Sequence, residues 1–333
     1  MATAGLRIGV IGATGALGAE VLDVLAGSAI RVAQIVPVAT EKSLGAEVEF
    51  QGQATPVETE LPSLHGLDFI FLCAPPMASL VVAREALRAE VPGIDLSGAL
   101  ATTPEVPLRI AHLADPNAGG SPPMVATPTG PALALATVLR PLAERAGING
   151  VQATVLDSAS SAGVRGTESL MSESIALFNQ QDVPEPTVYS RPIAFDCGPG
   201  MKRQDIGGEL DREEQTAAML ARLLGDDIGF SITTVQVPTF LGLGCVLHVS
   251  TREPLAAADA RALLAAADGV ELWTDGAEGP SLRAAAGCGD VLVGRTRMDP
   301  SLGNGLRLWL ATDPVCLAAA NAVRLAEARL GIV

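Results

Sequence analysis

The stretch GLRIGVIGATGALGAEVLDVL, residues 5–25, decides the fold of this chain. An apolar run at 8–11 leads directly into glycines 12, 15 and 18, and a helical pattern of leucine and valine follows. A strand, a tight glycine turn and a helix in this order aim the free N–H groups of a helix N-terminus at an anion. Glycine permits positive φ and a close backbone approach to a pyrophosphate. The stretch therefore predicts dinucleotide binding; the alternative is a glycine-rich turn that binds nothing.

Composition excludes several classes of protein. The chain has 333 residues, of which 48% are hydrophobic, enough for two domains with their own cores. Its net charge of −15 would repel phosphates, so no nucleic-acid partner is expected. No apolar stretch is long enough to cross a membrane. Five cysteines and three histidines are scattered without metal-like spacing, which predicts reduced thiols in the cytoplasm and no metal site.

The first third of the chain alternates between strand and helix patterns. After the opening strand, further strands are predicted at 32–39, 67–75 and 91–97, with an amphipathic helix at 79–90 and a loop at 114–128. Such alternation is typical of a doubly wound parallel sheet, so an α/β, Rossmann-type domain is expected.

The remainder of the chain has longer strands and fewer helices. A helix over 131–146 precedes strands at 150–160, 230–240, 245–251, 290–299 and 305–313, and helices are predicted only at 209–225 and 255–267. This pattern favours an α+β domain with a mixed or largely antiparallel sheet. We predict a dinucleotide-binding domain over 1–128 with 313–333, and a dimerisation or substrate domain over 129–312.

Ordered motifs along nearly the whole chain carry a family resemblance. They are GATGALG (12–18), ATEKSLG (39–45), LCAPP (72–76), IDLSGAL (94–100), VATPTGP (125–131), SASSAGVRG (158–166), RPIAF (191–195), VQVPTF (235–240), VGRTRMDP (293–300) and LRLWLATDP (306–314). In this order and spacing the chain resembles the aspartate-semialdehyde dehydrogenase family, and within it a divergent, Usg-type paralogue. The resemblance implies a Rossmann domain plus a dimerisation domain, a homodimer, and NADP-dependent oxidoreductase chemistry in amino-acid biosynthesis.

The family's reaction uses a cysteine nucleophile, a histidine acid/base, a glutamine and two substrate arginines, and this chain departs from the pattern at each. The cysteine position holds Gly130 and the histidine position holds Leu243. Ala101 stands for the phosphate arginine, Asp157 for the glutamine and Gln236 for the carboxylate arginine. None of these side chains supplies the required thiolate, imidazole or guanidinium chemistry. We therefore predict no catalytic residues and loss of the family's dehydrogenase activity.

A few residues near these positions invite other interpretations. Cys245 is a replacement nucleophile or, more simply, a small buried hydrophobic residue. Thr129 is expected to cap the following helix. Cys73 is expected on the nicotinamide side of the first sheet or in its core, and His112 and His248 are expected to be structural.

The cofactor motifs match the family better. An NAD-selective site usually has a carboxylate after the second strand, whereas here Lys42 occupies a position where the family commonly has an arginine facing a 2′-phosphate. NADP is therefore favoured over NAD; the alternative is that Lys42 is a solvated surface residue. The predicted cofactor-binding residues are Gly12, Ala13, Thr14, Gly15, Ala16, Leu17, Thr40, Lys42, Ser43, Ser160 and Gly163.

The preferred hypothesis is a nucleotide-binding protein without dehydrogenase activity, and three alternative functions remain open. The first is an active NADP-dependent oxidoreductase acting on an aldehyde or acyl phosphate. The second is a non-catalytic module that signals through a partner, and the third is a purely structural homodimer. Dimerisation agrees with the long apolar strands over 230–250, which would otherwise leave a sizeable exposed face.

Overall fold

The computed structural model describes residues 5–60, 64–113, 122–199, 211–273 and 278–332. The chain divides into two compact units. The first unit comprises residues 1–129 and 318–333, and the second comprises residues 130–317.

The first unit contains a five-stranded parallel sheet with the order β2-β1-β5-β6-β7, and a separate hairpin of β3 and β4. The strand order reverses direction between β1 and β5, which is where doubly wound sheets bind ligands at the carboxyl ends of their strands. The predicted α/β, Rossmann-type class is confirmed. The strands are β1 Leu6–Ile11, β2 Val32–Val38, β3 Glu47–Phe50, β4 Gln53–Pro56, β5 Phe69–Leu72, β6 Gly93–Asp95 and β7 Met124–Ala126.

Helices pack on this sheet through small and branched apolar side chains. They are α1 Ala16–Ala26, α2 Pro76–Arg88 and the chain-terminal α8 Pro314–Arg329. Val21 and Leu25 of α1 share one buried cluster with Ala322 of α8. The prediction of a loop over 114–128 is wrong for its last residues, because β7 pairs with β6 there. Residues 114–121 lie outside the described residues.

The second unit contains a seven-stranded mixed sheet with the order β12-β13-β14-β11-β8-β10-β9. Strands β8 and β10 are parallel, as are β12 and β13, and the other neighbours are antiparallel. The predicted mixed sheet is confirmed. The strands are β8 Ile148–Asp157, β9 Gly198–Pro199, β10 Gly229–Gln236, β11 Leu243–Thr251, β12 Val270–Leu272, β13 Val291–Met298 and β14 Gly305–Thr312.

The helices of the second unit include one that the sequence analysis missed, α4, whose buried face is formed by Leu170, Ala176 and neighbours packed near Tyr189. Helix α3 is buried along most of its length, because apolar residues occupy nearly every side of it. The helices are α3 Pro131–Ala146, α4 Gly163–Phe178, α5 Arg212–Leu224, α6 Ala257–Ala265 and the short α7 Leu282–Ala285.

The two faces of the mixed sheet differ. Val151, Ala153 and Val155 of β8 are buried on the face that α3 covers. On the opposite face, strand alternation presents Gln152 and Thr154, both of which are exposed. Among the described residues, no helix combines the length and apolarity needed to cross a membrane.

Candidate functional site

Backbone atoms pack so tightly around Gly12 and Gly18, in the turn after β1, that neither position has room for a side chain. Gly12 has φ +89°, and a Cβ there would lie 2.6 Å from the backbone nitrogen of Ala74. A Cβ at Gly18 would lie 2.2 Å from the carbonyl oxygen of Gly12. The backbone of the turn is held to β2, because the N–H groups of Gly12 and Ala13 both donate to the Val38 carbonyl, at 2.7 and 3.1 Å.

The start of α1 is suited to an anion. Gly15 is the capping residue and has no side chain to satisfy the first N–H groups of the helix. The N–H groups of Ala16 and Leu17 have no hydrogen-bond partner among the described residues, and they lie next to the exposed Thr14. With the helix dipole behind them, these groups fit the pyrophosphate of a dinucleotide.

The structure brings the turn that follows β2 next to the glycine turn. The hydroxyls of Thr14 and Ser43 lie 3.1 Å apart, and the Ser43 N–H donates to the Thr40 carbonyl at 2.8 Å within a short 3₁₀ turn. Lys42 in this turn is exposed, and no ion pair ties it to another of the described residues. Its ammonium group is free to meet a phosphate.

Two predicted cofactor residues belong to the second unit. The hydroxyl of Ser160 lies 2.9 Å from that of Ser158, and its backbone N–H donates to the Phe240 carbonyl at 3.0 Å. Gly163 begins α4 with φ +68°, and a Cβ there would have open space around it. The backbone of this segment is thus held by a hydrogen bond at Ser160, while the space beside Gly163 is unfilled.

Three of the positions that the sequence analysis assigns to lost catalytic groups are neighbours on adjacent strands. Asp157, at the end of β8, is opposite Gln236 on β10 and opposite Leu243 on β11. The Gln236 amide donates to the Asp157 carbonyl at 2.8 Å, and Leu243 is 1% exposed. The structure therefore brings these three predicted positions together, and the one assigned to the histidine carries an apolar side chain.

Gly130 begins α3 in a conformation that favours glycine. Its φ of +53° and ψ of −131° lie outside the regions open to other residues at low cost. The prediction that Thr129 caps this helix is wrong, because the capping position falls on Gly130, one residue later. A Cβ added at Gly130 would lie 3.7 Å from Nη2 of Arg212, so a guanidinium borders the space that a cysteine side chain would enter.

Arg212 and Asp157 form an ion pair that the sequence analysis missed. Nη1 of Arg212 donates to Oδ2 of Asp157 at 2.7 Å, and the carboxylate side chain is only 3% exposed. The other oxygen, Oδ1, is buried without a partner among the described residues. Arg212 is placed by the start of α5, where Asp211 and Glu214 form a capping box. That Asp-x-x-Glu signal could have located the helix start, although not its contact with Asp157.

Arg212→Ala is expected to lower the free energy of unfolding by about 1–3 kcal/mol, because it leaves a buried carboxylate without its cation. Adding Asp157→Asn should recover part of the loss, since the unpaired charge is then absent. Thermal and denaturant unfolding of the single and double variants measures the coupling. Arg145→Ala, which removes an exposed arginine from α3, is the control. Equal losses in Arg212→Ala and the control would contradict the interpretation.

Cys245, the alternative nucleophile, is poorly suited to catalysis, and the other residues singled out nearby have structural surroundings. Cys245 is fully buried, and burial raises the pKa of its thiol, so it stays protonated at neutral pH. Burial and the neighbouring Asp95 also raise the pKa of the Cys73 thiol, which lies against the core of the first unit. His248 contacts the carboxylate of Asp299 through Nδ1.

The position assigned to the phosphate arginine is buried in a well-ordered turn. Ala101, at the position of the phosphate arginine, is 2% exposed, in a turn that the carboxylate of Asp95 organises by accepting the Leu100 N–H at 2.8 Å. Burial raises the pKa of that carboxyl. Within the described part of the chain, no three His, Cys, Asp or Glu side chains are grouped so that they could hold a metal.

Comparisons with known proteins agree with this architecture. Residues 7–118 match the family model "Semialdehyde dehydrogenase, NAD binding domain", and residues 139–316 match "Semialdehyde dehydrogenase, dimerisation domain". The aspartate-semialdehyde dehydrogenase of Streptomyces akiyoshiensis is 30% identical over 97% of this chain and 98% of its own. The crystal structure of aspartate semialdehyde dehydrogenase II from Vibrio cholerae, complexed with ASA, has a TM-score of 0.91 at 29% identity and covers 99% of both chains. A Candida albicans aspartate semialdehyde dehydrogenase with NADP shares the fold, with a TM-score of 0.73 at 17% identity over 99% of this chain and 100% of that one. The chain belongs to the semialdehyde dehydrogenase family.

Proposed function

We propose that this protein is a homodimeric NADP-binding member of the family that does not catalyse semialdehyde dehydrogenation. The observation that carries the proposal is the convergence of Asp157, Gln236 and Leu243 on adjacent strands, with Gly130 at the start of α3. The positions that need a thiol and an imidazole hold a glycine and a leucine, while the cofactor turn keeps its form. The divergent, Usg-type assignment is part of this proposal.

NADP binding is supported by the geometry of the first unit. The free N–H groups at the start of α1 suit the pyrophosphate, and the turn at 40–43 offers an ammonium and two hydroxyls next to Thr14. A 2′-phosphate is matched by such groups, because charge-assisted hydrogen bonds are among the strongest that proteins form. Ser160 and Gly163 are proposed to complete cofactor binding.

Homodimerisation is supported by the open face of the mixed sheet in the domain that matches the family's dimerisation model. Leu156, Val235 and Val246 are half-buried on this face, beside exposed threonines. A second copy would remove these apolar groups from water. None of the five cysteines, all of which lie in the described ranges, forms a disulfide, which agrees with the proposed reducing cytoplasmic location.

An active oxidoreductase with another substrate is the alternative function. It is favoured by the family itself and by the charged pair of Arg212 and Asp157 beside Gly130, since a guanidinium there could hold a carboxylate. Incubation with NADP and a panel of aldehydes, followed at the absorbance of NADPH, distinguishes the two: turnover of any aldehyde favours the alternative.

Lys42→Ala is expected to weaken NADP binding by roughly tenfold, because one charge-assisted contact to the 2′-phosphate is lost. Affinity for NAD should not change, since NAD lacks that phosphate. Isothermal calorimetry with both nucleotides measures the difference, and Arg31→Ala, which removes another exposed cation of the first unit, is the matched control. An unchanged NADP affinity would exclude the proposed role of Lys42. No binding of either nucleotide by the unsubstituted protein would leave a structural homodimer.

A further inference from the structure

The row of strand positions assigned to lost catalytic groups continues onto the edge strand of the mixed sheet. Gln236 of β10 is opposite Asp157 on β8 and opposite Gly198 on β9, the last strand of the sheet. Residues directly opposite one another on neighbouring strands have their side chains on the same face. Asp157 and Gln236 are 2% and 4% exposed, so this is the face that α3 and α5 cover. The proposed homodimer uses the opposite face.

The guanidinium of Arg191 occupies the place that a side chain at Gly198 would take. A Cβ at Gly198 would overlap Nη2 of Arg191 and would lie 2.8 Å from its Cζ. The Cβ atoms of directly opposed residues are about 5 Å apart, so this guanidinium lies beside the Gln236 side chain. A guanidinium is therefore present next to the position assigned to the family's carboxylate arginine, although it comes from a different segment of the chain.

We propose that Arg191 binds the carboxylate of a small organic acid in place of the arginine lost at position 236. A guanidinium offers parallel N–H groups that match the two oxygens of a carboxylate. This role rests on the proposed function, in which Gln236 stands where the family has its carboxylate arginine, and it adds the class of ligand that the altered site binds. It holds whether or not the bound acid is converted to a product.

Two carboxylates beside these strands already have partners. Asp157 accepts a hydrogen bond from Nη1 of Arg212 at 2.7 Å. Glu213 accepts the Thr234 N–H at 2.6 Å. Arg191 is exposed, and it forms no hydrogen bond or ion pair with another of the described residues. Its charge is thus uncompensated within the described part of the chain, and the carboxylate of a ligand would supply the missing partner.

The segment that carries Arg191 is held in place by a buried carboxylate of α4. Glu173 is 1% exposed, and its Oε2 accepts the N–H groups of Ile193 and Ala194 at 2.7 and 2.9 Å. Ile193 is itself fully buried. Because the backbone two residues from Arg191 is fixed, the conformational entropy lost on binding is mainly that of the arginine side chain, which lowers the cost of binding.

The space beside Gly130 can receive the rest of the ligand. Arg212 connects the two places, because its Nη1 is bonded to Asp157, the strand neighbour of Gln236, and its Nη2 would lie 3.7 Å from a Cβ at Gly130. Apart from the chain neighbours of Gly130, no other atom of the described residues is within 4 Å of that Cβ. A polar group at the far end of an acid held by Arg191 would meet the guanidinium of Arg212 there.

Binding of succinate tests the proposal, measured by saturation-transfer NMR of its methylene protons at constant ionic strength set with sodium chloride. Arg191→Gln should weaken binding by roughly tenfold, because a charge-assisted contact is lost. Gly198→Ala should weaken binding as well although it keeps the charge, because the added methyl group displaces the guanidinium. Arg145→Gln, which removes an exposed arginine at the other end of α3 from Gly130, is the matched control and should leave the affinity unchanged. Succinamide, which has no carboxylate, should not compete.

Three results would overturn the proposal. Unchanged succinate affinity in both Arg191→Gln and Gly198→Ala would mean that the acid binds elsewhere. Weaker binding in Arg191→Gln alone would mean that the charge acts from a distance and not from its position on Gly198. The third is that neither succinate nor the monocarboxylate propionate binds saturably to the unsubstituted protein. Thermal unfolding shows that each variant is folded. NADP affinity and turnover of aspartate semialdehyde test the proposed function separately, since neither substitution alters the glycine turn of the first unit.

Discussion

Purified protein incubated with aspartate semialdehyde, phosphate and NADP is expected to form no NADPH above the protein-free rate. We assign the family's cysteine position to Gly130 and its histidine position to Leu243, whose side chain is buried. In a well-studied protease, removing the nucleophile or its base lowers kcat by about 10⁶-fold, and a comparable loss would leave no measurable turnover here. The buried thiol of Cys245 does not replace the nucleophile, because burial raises its pKa and keeps it protonated.

The turnover measurement needs an active enzyme as a positive control. A relative named as the dehydrogenase, such as that of Streptomyces akiyoshiensis, should give rapid NADPH formation under the same conditions. Gly130→Cys is expected to stay inactive, since φ +53° strains any residue with a Cβ and no histidine is present at 243. Phosphate-dependent NADPH formation by the unsubstituted protein would show that the family's reaction persists and that the loss we propose is wrong.

Gly18→Ala is expected to abolish measurable NADP binding and to lower the free energy of unfolding by about 1–3 kcal/mol. The added methyl group would lie 2.2 Å from the Gly12 carbonyl oxygen, and that atom is backbone, so the whole turn must move. Movement of the turn displaces the N–H groups that suit the pyrophosphate. Calorimetry measures the loss of binding, and thermal unfolding measures the loss of stability.

Gly27→Ala is the matched control, at the other end of the same helix. Gly27 has φ −92°, and the nearest atom to a Cβ there is 3.7 Å away, so alanine fits without movement. NADP affinity should be unchanged in this variant. Retention of binding in Gly18→Ala would mean that the nucleotide does not use this turn.

The first unit was largely predictable because its signals are local. Each buried parallel strand is a short apolar run, and the glycine turn sits between a strand and a helix. Helix α4 escaped prediction because Gly163, Gly166 and several serines weaken its intrinsic preference, and its stability comes from packing near Tyr189. Strand β7 is only three residues long and lies at the end of a segment rich in proline and glycine.

The candidate site was predictable in its positions but not in its contacts. The family motifs pointed to Gly130, Asp157, Gln236 and Leu243, and strand register makes the last three neighbours. Arg212 could not be predicted to join them, because it comes from a helix 55 residues farther along the chain than its partner. The pairing depends on tertiary structure, which no local pattern encodes.

The register that joins β10, β8 and β11 also constrains how this lineage can change. A return to the family's chemistry would need a cysteine at 130, a histidine at 243, arginines at 101 and 236 and a glutamine at 157. Restoring any one alone strains a backbone, crowds a buried position or leaves the Arg212 guanidinium facing a lost partner. Because each such intermediate is less stable and still inactive, selection would remove it before the next substitution arrived. The loss of the dehydrogenase that we propose would thus be hard for evolution to reverse.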